Sequence, residues 1–196
     1  MTAIKFTARK ISDAATATSQ CTVVPIFADG KLAGAAAALN KASGGAIKAA
    51  LALGDFSGKS SQHSLLPGAG KSKRLLLVGC GEKKKFDRAA ARSFAQTLSK
   101  AVAGTSATDA LLLVEDLKVK GADAAWLLEM LARNLESSSY RYTETVAKPK
   151  PELKLTRVVV SSAEGKASAQ KALDQGAATA CGINMARDLA HLPGNI

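Results

Sequence analysis

Two glycines at the end of an apolar run carry the clearest chemical signal in the sequence. Gly79-Cys80-Gly81 follows Leu75–Val78 and precedes a segment that Asp87 can cap as a helix. A strand–turn–helix of this kind can aim backbone N–H groups at a phosphate. The spacing argues the other way: the third glycine position of G-x-G-x-x-G holds Lys84, and the loop runs long before Asp87. An aspartate cap also takes up the N–H groups a phosphate needs, and repels it. Gly79 and Gly81 are thus candidates for a phosphate loop, while a turn that requires glycine angles is the favoured reading.

Basic clusters come next. Lys83, Lys84, Lys85, Arg88 and Arg92 form the densest one, with Lys71, Lys73 and Arg74 before the same apolar run and Lys148, Lys150, Lys154 and Arg157 further on. A strand of five or six residues separates the first two by roughly 17–20 Å, so they belong to opposite rims. Aromatic residues make up 4% of the chain and only Phe86 lies near the densest cluster, which disfavours a stacking platform for single strands. Duplex phosphates need only charge. Lys83, Lys84, Lys85, Arg88 and Arg92 read first as solvated surface and second as duplex DNA contacts.

Ligands for metal are sparse. His63 and His191 have no H-x-x-x-H partner and no neighbouring Cys/Asp cluster, whereas a metal site needs three or four converging ligands. Glu115-Asp116 ends a strand and reads as solvated. Ser138-Ser139 has neither a nucleophile elbow nor a base. The sequence predicts no catalytic and no metal-binding residue, and argues against an autonomous hydrolase.

The elements that must hold these groups follow from pattern. The strand predictions are Ala3–Ala8, Cys21–Phe27 (at an edge or ending early because of Pro25), a weak Ser60–Leu66, Leu75–Val78, Ala110–Val114 and Leu155–Val160. Leu75–Val78 and Ala110–Val114 lack alternation, as strands buried on both faces do. Helices are expected over Leu32–Leu39, from an N-cap at Ser43 to a stop at Gly54, from Asp87 to Gly104, after Asp123, and from about Glu164 to Leu192. Ser137–Pro151 reads as a loop. A three-layer α/β helix–sheet–helix sandwich with a mixed sheet results. The last helix carries small residues at helical spacing (Leu173, Gly176, Ala180, Ile183, Ala186, Ala190), which predicts close backbone approach and an exposed apolar seam from Ile183 to Leu192.

With 196 residues, the chain allows one domain and an appendage, and 27 Lys+Arg against 16 Asp+Glu give a net charge of +11. That excess permits anionic partners without fixing the fold. Cys21, Cys80 and Cys181 are odd in number and widely spaced, so each is expected to be a buried small hydrophobe in a reducing compartment. No signal peptide or membrane-length run is seen, so a cytoplasmic location is expected.

Met185-Ala186-Arg187-Asp188-Leu189 followed by Leu192-Pro193-Gly194-Asn195-Ile196 resembles the segment leading into the catalytic domain of leucyl (cytosol) aminopeptidases. Weaker likeness extends upstream through Gly54–Lys59, Leu75–Gly81 and Leu117–Gly121. The family's Asn-Thr-Asp-Ala-Glu-Gly-Arg catalytic run is absent. The resemblance implies a macro-domain-like, non-catalytic N-terminal domain over 1–163, a long interdomain helix over 164–192, and at 193–196 the start of a catalytic domain. It implies a parent that is a homohexameric two-metal peptidase using manganese or zinc, with this chain's own C-terminal catalytic domain as partner. Some bacterial members bind DNA as regulators, and macro domains bind ADP-ribose; duplex DNA and a nucleotide pocket at Gly79–Gly81 are the alternatives this leaves open.

Overall fold

The computed structural model describes residues 3–148, 153–163 and 165–192. Along the chain run β1 (Lys5–Arg9), β2 (Cys21–Phe27), α1 (Gly34–Ala42), α2 (Ala46–Leu53), β3 (His63–Pro67), β4 (Arg74–Gly81), α3 (Arg88–Ala103), β5 (Asp109–Leu112), α4 (Ala124–Ser139), β6 (Arg157–Ser161) and α5 (Lys166–His191). The strands form one sheet in the order β1-β6-β5-β2-β4-β3. All neighbours are parallel except β3, which runs antiparallel on β4 at one edge. The sheet is mixed, as expected, but the antiparallel strand is β3. The early strands β1 and β2 are not neighbours at all.

Helices cover both faces. The larger core lies under α3, α4 and α5, where Phe94, Leu98, Leu131 and Leu173 meet Val23, Leu76 and Val158. The smaller one lies under α1 and α2, where Leu39 and Ile47 meet Val24, Leu75 and Leu77. Interior β4 feeds both, since Leu75 and Leu77 turn to one core and Leu76 and Val78 to the other. That double duty is why its run is continuously apolar.

β2 is interior and runs the full Cys21–Phe27, against the expectation that Pro25 would put it at an edge or end it early. The Val23 carbonyl accepts from the Leu113 N–H (3.2 Å) on the β5 side. Alternate residues of a strand turn their backbone groups to the same neighbour, so the nitrogen of Pro25 faces the side where β5 has ended at Leu112. The proline sits where no ladder bond is missed.

The helix ends follow local chemistry. Asp87 caps α3, its carboxylate accepting from the N–H groups of Ala89 (2.9 Å) and Ala90 (3.0 Å), and Asp123 caps α4 through Trp126. Gly54 closes α2 in the left-handed region at φ +84°. Ser43 is a correction: it ends α1, donating its hydroxyl to Asn40 O, and α2 begins instead after the left-handed Gly44 and Gly45. The expectations placed on Pro149, Lys150, Pro151, Glu164 and residues 193–196 lie outside the described residues.

In α5 the buried line is Ala169, Ala172, Leu173, Gly176, Ala180 and Asn184. The expected stripe therefore holds through Ala180 and then breaks, because Asn184 takes the inner position and Ile183, Ala186 and Ala190 turn outward. Met185 (65% exposed) and Leu189 (64%) lie one turn apart and expose apolar surface within the expected span Ile183–Leu192, but on a different face from the small-residue stripe expected to carry the seam.

Glu136 of α4 ties this helical layer to the sheet edge, its Oε2 accepting the Ile4 N–H at 2.9 Å. Burial raises its carboxyl above the ordinary value of 4.5, partly offset by that hydrogen bond. A folded-state value above the unfolded one means the folded chain keeps its proton longer. The stabilising contribution is complete below pH 4.5 and is lost as pH rises through the folded value. Glu136→Gln keeps an acceptor for Ile4 without the buried charge. It should unfold at a higher urea midpoint than the parent at pH 8, with the gap closing toward pH 4.

Candidate functional site

Each residue singled out for chemistry now has a place. Gly79 donates its N–H to Gln62 O and Gly81 donates to Gly58 O, both at 2.9 Å. A side chain at Gly79 would overlap the backbone of Gly58 and Lys59, and Gly81 has φ +77°. Neither amide points at open space, so the phosphate-loop reading has nothing to rest on. The glycines serve a packed strand end where the chain passes within contact of its own backbone.

The residues of the basic run meet different partners. Lys85 pairs with Glu82 (2.9 Å), Lys83 lies over the Phe27 ring (5.8 Å) and Arg88 over the Trp126 ring (5.4 Å). Arg92, a turn further along α3, instead borders a cleft shared with α4 and α5. Lys84 is exposed.

His63 lies on the edge strand β3, while His191 ends α5, its ring against Tyr142 (centroids 5.0 Å) and Tyr140 (6.5 Å). Ser138 and Ser139 donate their hydroxyls back to Leu135 O and Glu136 O at 2.7 Å, so both are occupied within their own helix. Glu115 is half-buried, and burial followed by the neighbouring Asp116 raises its carboxyl, with Lys10 opposing. It is not the simply solvated group expected of it.

Cys21 and Cys80 are buried, and burial pushes the Cys21 thiol up to about 11 and Cys80 further. Cys181 corrects the expectation, because it faces outward from α5. A thiolate is the reactive form. Ellman's reagent at pH 8 should therefore titrate one thiol quickly in the native chain and three after denaturation; rapid release of three from native protein would contradict this burial.

Where the loops after β2 and β5 part, a crevice of about 220 Å³ opens at the carboxyl ends of the strands, bordered by Pro25, Asp29, Lys31, Lys83 and Asp116. The sequence offered no sign of it, because its walls come from three segments. Two carboxylates beside two lysines leave it no net preference for anions.

The comparisons fit this picture of a folded scaffold. The model of the cytosol aminopeptidase family, N-terminal domain, matches residues 23–149. The chain belongs to the cytosol aminopeptidase family. A probable cytosol aminopeptidase of Alkalilimnicola ehrlichii is 37% identical over 193 residues, covering 95% of this chain and 39% of that protein. The chain thus spans about two-fifths of the length of such relatives. Among solved structures, a tomato leucine aminopeptidase mutant aligns over 98% of this chain and 39% of its own at TM-score 0.79 and 16% identity. The macro domain of ganglioside induced differentiation associated protein 2 aligns over 88% of this chain and 84% of its own, at TM-score 0.60 and 14% identity. These likenesses establish the macro-like layering. The family resemblance implies two divalent ions in the parent, but no three His, Cys, Asp or Glu side chains converge among the described residues. They provide no ligand set for a two-metal centre.

Proposed function

We propose that this N-terminal domain is catalytically silent and serves assembly and placement in a cytoplasmic leucyl aminopeptidase that releases N-terminal residues from peptides. The two divalent metals, manganese or zinc, then belong to the catalytic part of the parent, where they would activate a water and polarise the scissile carbonyl. The observation that carries the reading is α5. At 26 residues it is about 39 Å long, and its first half is held against α4 by buried small residues. Its last two turns present Met185 and Leu189 to solvent, which suits a rigid arm that continues toward a further domain. Subunit contacts within a homohexamer would use the same arm. No helix among the described residues is long and apolar enough to cross a membrane, in keeping with a cytoplasmic setting.

The test is incubation of the 196-residue chain with leucine p-nitroanilide and either manganese or zinc. Release of nitroaniline should not exceed the blank. Metal-dependent turnover that scales with protein concentration would place a complete active site in this domain and overturn the proposal.

A further inference from the structure

The cleft bordered by Arg92 has a composition that the family assignment does not account for. Its walls bring together Arg92 and Gln96 of α3, Arg133 and Ser137 of α4, and Arg187 and Ile183 of α5, around about 260 Å³. No carboxylate lines it. The two side-chain ion pairs among the described residues, Lys85–Glu82 and Arg157–Asp109, involve none of these arginines. Three arginines from three helices thus line one concavity whose wall carries no carboxylate, a local excess of positive charge that an anion would offset.

One of the three is already fixed in place. Arg187 donates from one terminal nitrogen to Ser137 O and to Asn184 Oδ1, both at 3.2 Å, and its guanidinium lies over the Tyr140 ring at 5.5 Å. Asn184 is buried, and Tyr140 is itself held by donation to Asp188 Oδ1 at 2.8 Å. Asp188 accepts this hydrogen bond beside Arg187 and does not itself line the cleft. Arg133 is half-buried between the flanking helices. A planar, always-charged fork held by its own hydrogen bonds loses little freedom on binding, and matches phosphate and carboxylate oxygens in pairs.

We propose that this cleft is a binding site for the phosphate group of a small ligand. Three positive charges suit a dianion better than a single carboxylate. The recess accepts one phosphate group with a short substituent, while a duplex needs an extended basic surface that follows its backbone. Of the other basic side chains near α3, Lys83 lies over Phe27, Lys85 pairs with Glu82 and Arg88 lies over Trp126, and none of them lines the cleft. Free inorganic phosphate and a phosphate monoester share the recognised chemistry.

The experiment is a calorimetric and thermal-shift titration of the chain with inorganic phosphate and separately with phosphoserine, at ionic strength held constant with sodium chloride. Either ligand should raise the unfolding midpoint above the chloride control. Tighter binding of phosphoserine would mark an esterified ligand, tighter binding of inorganic phosphate a free oxyanion, and both support the site. Arg92→Gln and Arg133→Gln should each weaken binding about tenfold, while Arg88→Gln, outside the cleft, should leave it unchanged. Arg92 is exposed, so Arg92→Gln reports on binding even if Arg133→Gln fails to fold. No gain over chloride, or an equal loss in Arg88→Gln and Arg92→Gln, overturns the proposal. So does duplex DNA that binds with its losses spread over Lys83, Lys84 and Lys85.

Discussion

Gly176→Ala should destabilise the domain by about 2 kcal/mol, although replacing glycine inside a helix ordinarily gains about 1 kcal/mol. The reason is where α5 meets α4. A methyl group at Gly176 would overlap the carbonyl oxygen of Glu129, lie 2.9 Å from its carbonyl carbon and 3.0 Å from the Ala132 Cβ. The obstacle is backbone within a packed helix, so it cannot swing aside, and overpacking of this kind costs about 1–3 kcal/mol or more. Gly182 provides the control six residues along the same helix. It is exposed, and a methyl there meets nothing within 4 Å. Gly182→Ala should show the bare propensity gain of about 1 kcal/mol. Urea denaturation of the two variants decides the matter: midpoints should move in opposite directions with unchanged slopes. Stabilisation of both would mean that α5 does not approach α4 this closely, and the arm proposed for joining the domains would lose its anchor.

That contrast also shows what the sequence could and could not disclose. The small-residue spacing through Ala180 was legible because it is periodic within one helix, and the Asp87 and Asp123 caps because a cap is local chemistry. The continuous runs at Leu75–Val78 and Ala110–Val114 announced central strands for the same reason. What failed depended on distant partners. Pro25 argued for an edge strand, and only the early end of β5 explains its interior place. Ser43 resembles an N-cap, but two left-handed glycines behind it already make the turn. Cys181 has small neighbours in sequence yet lies on the outer side of α5. The arginine cleft was illegible in principle: Arg92, Arg133 and Arg187 lie far apart in the chain, and only the packing of α3, α4 and α5 brings them to one recess. Of its three, only Arg92 was singled out, and for a different partner.

Phe94→Ala should be the more damaging change, costing about 3–5 kcal/mol. Phe94 is completely buried in the middle of α3 and lies at the end of an edge-to-face series, 6.3 Å from Phe86, which lies 5.4 Å from Phe27. Three of the five phenylalanines in the chain meet in this series. Phe86 also fixes the loop ahead of α3, its carbonyl accepting the Lys120 N–H at 2.8 Å. Removing the Phe94 ring leaves a void within the larger core, among side chains that are themselves fully buried, so the loss should fall toward the upper end. Phe94→Leu, which retains most of the volume, should cost less than half as much. A fall in urea midpoint for Phe94→Ala no larger than for Phe94→Leu would show that the site relaxes freely. The series from Phe27 to Phe94 would then not be what seats α3 on the sheet, and the position of Arg92, which rides on that helix half a turn before Phe94, would need another support.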